Sequence, residues 1–201
     1  DVTTHKSNGQ PTQQITHNLG VAPEMAWIKI RSTTGDWFVY HKDLSSGKNC
    51  LLSTNAAETT SNSTTAATFT STYWTPGDSG YYSGGSNTQT YVAYLFATVA
   101  GISKVGSYTG TGSNVNVDCG FSAGARFILI KRKDSTGDWY LYDSVQGIVA
   151  GNDPYLLLSS TAAQVTNTDY IDPLSAGFTV TSSAPAALND SGGTYIFYAI
   201  A

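Results

Sequence analysis

Few residues in this chain have the type and spacing to do chemistry. Its three histidines, His5, His17 and His41, lie in the first half without the HxH or HExxH spacing that would present two imidazoles to one zinc ion. Carboxylates are more plentiful. Asp36 and Asp138 occupy matching phrases, and Asp43 and Asp143 correspond approximately. A glycosidase needs two such groups facing each other across a scissile bond, but Asp36 and Asp138 stand in turn-type phrases, where an Asp side chain bonds local backbone. Asp169 with Asp172, and Asn189 with Asp190, lack the alternating acidic pattern of a calcium loop. Gly84-Gly85 and Gly192-Gly193 precede strand-like segments, so they mark turns rather than phosphate cradles. No catalytic residue, no metal ligand and no cofactor is assigned, and the chain is expected not to be an enzyme.

Aromatic side chains offer a different chemistry. From Phe69 to Tyr91 the chain spends 22 residues where the matching Phe178 to Tyr195 takes 17, and the surplus holds Tyr73-Trp74-Thr75-Pro76-Gly77-Asp78-Ser79-Gly80-Tyr81-Tyr82. Rings among Gly and Ser make an adaptable surface that can stack on sugars or seat a partner. Trp74, Tyr81 and Tyr82 are the candidate ligand-binding residues; the competing reading is that Tyr73 and Trp74 finish a strand and cap the core. A second apolar loop, Gly147-Ile148-Val149-Ala150-Gly151, is suited to covering an open end or contacting a neighbouring chain.

Composition narrows the partners. Ten Lys and Arg against fourteen Asp and Glu give a net charge of −4, spread without runs apart from Lys131-Arg132-Lys133, so no nucleic-acid footprint is present. The longest apolar run, Tyr91 to Ile102, is too short to span a membrane and contains Thr98 and Gly101. Cys50 and Cys119 are not equivalent in the repeat described below; they either bridge or remain two partly buried thiols, the simpler reading. Asn62-Ser63-Thr64 and Asn189-Asp190-Ser191 match the glycosylation pattern, which Ser/Thr-rich chains produce by chance. The chain begins at Asp1 rather than Met and reads as a segment of a longer one.

The elements that must position these residues are written twice. TTGDWFVY (Thr33 to Tyr40) returns as STGDWYLY (Ser135 to Tyr142), 102 positions on; TYVAYLFA (Thr90 to Ala97) returns as TYIFYAIA (Thr194 to Ala201) at an offset of 104. Leu51 to Ala57 aligns with Leu157 to Ala163 at 106, Gly20 with Gly120 at 100, and Val2-Thr3-Thr4-His5 weakly with Val105-Gly106-Ser107-Tyr108. Two modules of small-domain size result, residues 1–102 and 103–201. The segments Ala26 to Arg31, Asp36 to His41, Ala67 to Trp74 and Gln89 to Ala97 are rich in Thr, aromatic and β-branched residues and separated by Gly, Ser, Asn and Pro. Arg126 to Lys131, Asp138 to Asp143, Tyr155 to Ser159, Gly177 to Thr181 and Thr194 to Ala201 repeat the pattern. The predicted fold class is all-β: two tandem, internally repeated β-sandwich modules of about six strands each, with a jelly-roll-like connection as one option. The only helical turn suggested lies at Ala162 to Val165. The GDW phrase reads as a hairpin in which Gly supplies positive φ and Trp37 or Trp139 anchors the core. Ile28, Ile30, Ile128 and Ile130 form the inward stripe. Ala93 to Phe197 and Leu95 to Ala199 exchange small and large groups at nearly constant volume.

HNLGVAPEM (His17 to Met25), the GDW hairpin, a Leu-rich strand with an Ala-Ala loop and the ending GGTYIFYAIA (Gly192 to Ala201) together resemble a module found in tandem in virion proteins of tailed bacteriophages, notably marine and cyanobacterial ones. The first copy departs from the pattern at Gly84 to Thr90. The resemblance covers nearly the whole chain, and its motifs are structural, so it carries over no catalytic residues. It implies a non-enzymatic structural or adhesion segment of a surface-exposed particle protein, most simply a tail fibre or receptor-binding protein located in the virion tail. The implied partners are a host cell-surface glycan or other receptor, other virion proteins, and further copies of the same chain, a homotrimer by analogy. A capsid decoration protein and a carbohydrate-binding module are the alternatives.

Overall fold

Short runs of alternating apolar and polar residues, closed by Gly, Asn, Ser and Pro, pair into antiparallel ladders throughout the chain. The computed structural model describes residues 1–60, 67–77 and 88–201, and it is nearly all-β, with 43% strand and 2% helix. Two compact units form: Asp1–Leu52 with Glu58–Ala97, and Ser53–Ala57 with Thr98–Ala201. The predicted boundary after residue 102 thus moves to Ala97. Thr98 Oγ1 accepts from the Val105 amide, and Val99 bridges Ser103, so this turn belongs with the strand that follows it.

The first unit contains β1 (Val2–Lys6), β2 (Ile15–Thr16), β3 (Met25–Ile30), β4 (Trp37–His41), β5 (Lys48–Leu51), β6 (Thr59–Thr60), β7 (Thr68–Phe69), β8 (Tyr73–Thr75) and β9 (Thr90–Phe96). Its main sheet runs β1-β9-β3-β4-β5-β6, and a smaller sheet runs β2-β8-β7. Alternate residues of β3, β4 and β9 (Ala26, Ile28, Phe38, Tyr91, Ala93, Leu95) meet Ile15 and Trp74 of the smaller sheet in one core.

The second unit contains β10 (Ser103–Thr109), β11 (Val115–Asp118), β12 (Phe127–Arg132), β13 (Trp139–Asp143), β14 (Leu156–Leu157), β15 (Ile171–Leu174), β16 (Gly177–Val180), α1 (Ala186–Asn189) and β17 (Thr194–Ile200). Its main sheet, β10-β17-β12-β13-β14, faces the sheet β11-β16-β15. Val117, Ile171, Phe178 and Val180 pack against Ile128, Ile130, Tyr140, Tyr142, Tyr195, Phe197 and Ala199. In both main sheets the first strand pairs with the last, and the last with the third.

Local compensation explains the size swap on the last strands. Ala93 lies opposite Thr3, whereas Phe197 lies opposite Gly106. A Cβ on Gly106 would come within 2.7 Å of the Phe197 ring, so the larger ring is accommodated by removing a side chain across the ladder. The neighbouring rows keep the same stacked geometry with different rings: His5 on Tyr91 at 5.1 Å, and Tyr108 on Tyr195 at 4.8 Å.

Several expectations are corrected. Ala67 to Trp74 is two short strands, because Thr70 Oγ1 accepts from the Thr72 and Tyr73 amides and folds the chain back between β7 and β8. Ala162 to Val165 is not helical; Val165 bridges Tyr155. The one helix among the described residues, α1, is a single turn and too short to leave a sequence period. Tyr195 Oη and Arg132 Nη1 hold its Ala186 carbonyl. Gly35 and Gly137 are not in the positive-φ region, unlike Gly20 (+73°) and Gly120 (+72°). Space is what they provide, since a Cβ would meet Ile30 Cγ2 at 2.7 Å or Arg132 Cβ at 3.1 Å. The GDW tryptophans are not anchors of the sandwich core either. Core-facing Phe38, Tyr40, Tyr140 and Tyr142 alternate with them, so Trp37 and Trp139 lie on the opposite sheet face.

That opposite face of the second unit is also covered. Lys131 is fully buried, and its Nζ donates to the carbonyls of Asn55 (3.2 Å), Arg132 (2.9 Å) and Gly137 (2.6 Å). The Gly137 amide donates to Asn55 O at 2.9 Å, so Ser53–Ala57 lies as an arm over the GDW loop. Removing the ammonium takes one donor from each of three carbonyls, of which that of Asn55 keeps the Gly137 amide. Lys131→Met is expected to cost about 1–3 kcal/mol in urea unfolding, whereas Lys29→Met, at the half-buried equivalent position, should change stability by less than about 0.5 kcal/mol.

Candidate functional site

The residues nominated as a ligand surface do not come together as an exposed platform. Trp74 is 0% exposed. Its ring stacks on Phe69 at 6.0 Å and meets His5 edge-on at 5.3 Å, and its Nε1 donates to Thr3 Oγ1 at 3.3 Å. Trp74 is therefore a core residue of the β2-β8-β7 sheet, which corrects its place among the candidates. The physical reason is its position: as the middle residue of β8 it points at Ile15 and the main sheet. Tyr81 and Tyr82 lie outside the described residues, as do Asn62-Ser63-Thr64 and Gly84-Gly85.

Several groups capable of acid–base or metal chemistry are engaged in local architecture. His17 is buried, with Nε2 3.0 Å from Thr70 O and Nδ1 accepting from the Leu19 amide, an arrangement that assigns the proton to Nε2. His41 Nδ1 accepts from the Asp43 amide. Asp138 does not bond its own turn, as expected from the sequence, but accepts from Ser159 Oγ at 2.7 Å. Asp143 accepts from the Val145 amide and Asp169 from that of Gly151. No group of three or more His, Cys, Asp or Glu that could hold a metal ion occurs among the described residues. Neither cysteine is in a disulfide and both are buried, and desolvation pushes the Cys119 thiol up to about 12. No helix among them is long and apolar enough to cross a membrane.

One perturbed carboxyl escaped sequence reasoning. Asp153 is 0% exposed, and its two oxygens accept from the amides of Tyr170 and Ile171, all at 3.0 Å. Its own backbone closes the same loop, its amide donating to Thr168 O and its carbonyl accepting from Thr168 Oγ1. Burial pushes this carboxyl up to about 7 despite the opposing pull of the two amides, and Asp169 and Asp172 add to the rise. Beside it stand Tyr140, Tyr142, Tyr155 and Tyr170, with adjacent ring centroids 5.0–5.8 Å apart. The Tyr142 hydroxyl is buried without a hydrogen-bond partner among the described residues, and burial holds its pKa well above the usual range. Asp153 thus latches 146–153 to 168–171, and the Gly147–Gly151 loop covers the core with Ile148 while Val149 stays exposed. Only the Asp-Pro step after an apolar loop hinted at this in sequence.

Asn189 is the second such residue. Its Oδ1 accepts from the Thr111 and Gly112 amides, and its Nδ2 donates to the Ser113 and Thr181 carbonyls. All four hydrogen-bonding positions of the amide are used on one unit's own loops.

The site therefore defines an all-β scaffold whose buried polar groups serve its loops. The chain belongs to the family described as a domain of unknown function, DUF7483, which matches residues 1–201. Comparison with curated proteins and with solved structures gives no match.

Two measurements follow from this geometry. Trp74→Ala is expected to destabilise the protein by about 3–5 kcal/mol, the cost of emptying a buried indole site. Asp153 binds its proton more tightly folded than unfolded, its pKa rising from 3.8 to about 7. Its contribution is then fully present below about pH 4 and lost as pH rises through about 7. The melting temperature should fall between pH 5 and pH 8, and Asp153→Asn should flatten that dependence.

Proposed function

We propose that the chain is a duplicated, non-enzymatic structural and adhesion segment of a tailed-phage particle protein, of the tail-fibre or receptor-binding kind, acting at the surface of the virion tail. The observation that carries this reading is the use made of buried polar side chains. Lys131, Asp153, Asn189 and His17 each satisfy the backbone of a loop. An enzyme aims its perturbed groups at a position a substrate atom can reach; these groups are aimed at the chain itself. Matching strand order in the two main sheets, with matching Gly20 and Gly120 conformations, supports duplication. The burial of Trp74 removes the largest ring from the nominated sugar platform and weighs against a free-standing carbohydrate-binding module.

A multivalent glycan-array screen of the 201-residue chain tests the adhesion part, because multivalency recovers weak single-site binding. Binding to bacterial surface sugars is expected, with loss in Tyr81→Ala/Tyr82→Ala and retention of the melting temperature. Silence across the array would overturn glycan recognition and leave a stalk or capsid decoration role.

A further inference from the structure

The arm laid over the second unit's GDW loop has a counterpart in sequence whose central residues are exposed. Leu51 to Ala57 and Leu157 to Ala163 correspond in sequence, and both leave their hairpin in the same way: the Leu52 amide donates to Trp37 O and the Leu158 amide to Trp139 O, each at 3.0 Å. In the first arm, Asn55 offers its carbonyl to Lys131 Nζ and Gly137 N. In the second, residues 160–164 are exposed, as Ser53, Asn55 and Ala56 of the first arm also are; the difference is that no hydrogen bond reaches the Thr161 carbonyl among the described residues. The position of Asn55 is taken by Thr161, which preserves the contact because only the backbone carbonyl is used.

The seat shows the reverse asymmetry. Lys131, Gly137 and Trp139 are buried beneath the first arm. Their equivalents are open: Lys29 and Trp37 are half-buried, and residues 31–36, including Gly35, are exposed. Lys29 Nζ already donates to Gly35 O, as Lys131 does to Gly137 O, so one of the three contacts made by the ammonium in the filled seat is already in place.

We propose that a second copy of this chain fills the open seat: the arm 159–163 of one molecule lies over the Lys29–Gly35–Trp37 surface of the next, the Thr161 carbonyl accepting from Lys29 Nζ and Gly35 N. Each molecule carries one free arm and one free seat, so the contact is head-to-tail. It closes into a ring or continues as a filament according to the rotation it imposes. The inference rests on the duplication in the reading above and on none of its adhesion content. A chain that assembles without binding glycan, or binds without assembling, separates the two.

Sedimentation velocity of the 201-residue chain over a range of concentrations is the test. Masses at multiples of 21.2 kDa that grow with concentration are expected. Lys29→Glu, and Thr161→Lys through the second ammonium it sets beside Lys29, should each weaken association at least about tenfold, a difference of about 1.4 kcal/mol, while melting temperatures stay unchanged and Lys6→Glu, at an exposed position of β1, has no effect. A peptide of residues 156–164 added in excess should dissolve the assemblies without altering any residue of the protein. A monomer persisting to about 1 mM, assembly indifferent to both substitutions and to the peptide, or equal weakening by Lys6→Glu would overturn the proposal.

Discussion

A strand that is apolar on both faces needs two covers, and β17, the last strand of the second unit, sets that demand. In β17, Tyr195, Phe197 and Ala199 face the smaller sheet, while Ile196, on the other side, is 1% exposed. Such a strand cannot stand at a sheet edge, and it sits between β10 and β12, as β9 sits between β1 and β3. The remaining architecture follows from supplying the core-side cover. Three short strands do so in each unit, so the sandwich is lopsided, a long sheet against a small one.

A small cover leaves long connecting segments that no ladder satisfies, and this is where the buried polar residues act. Backbone donors and acceptors taken out of water must be paired, or each costs the free energy of its lost hydration. Asn189 does this for the Thr111–Ser113 turn, Asp153 for the Tyr170–Ile171 entry into β15, and Lys131 for the GDW loop. These residues look functional by burial and charge, yet their partners are main-chain atoms of the same unit.

Period-two alternation made most long strands legible in the sequence: β3, β4, β9, β12, β13 and β17 lie within two residues of their expected bounds. The inward stripe of Ile28, Ile128 and Ile130 was legible for the same reason. What alternation does not encode is which face becomes the core when both are apolar, and Trp37 and Trp139 lie on the face opposite the expected one. Nor does it reveal turns made by a side chain, as at Thr70, or a one-turn helix held by distant groups, as at Ala186. Trp74 shows the limit at the candidate site. Its neighbourhood of Tyr, Thr, Pro and Gly resembles an adaptable loop, and only the pairing of β8 with β2 turns the indole inward. Asp153 and Lys131 were illegible because their partners lie 17 and 76 residues away.

The arm at Ser53–Ala57 makes the two units two cores without making them two separable polypeptides. A cleavage after Ala97 yields a C-terminal piece in which Lys131 lacks one of the carbonyls that accept hydrogen bonds from its ammonium, and an N-terminal piece carrying an arm with nothing to lie on. During synthesis the arm emerges well before the lysine that fastens it, so it has no seat until Lys131 and Gly137 have been made. The order of manufacture is therefore written into the connectivity: a segment made early completes a unit whose strands are all made later.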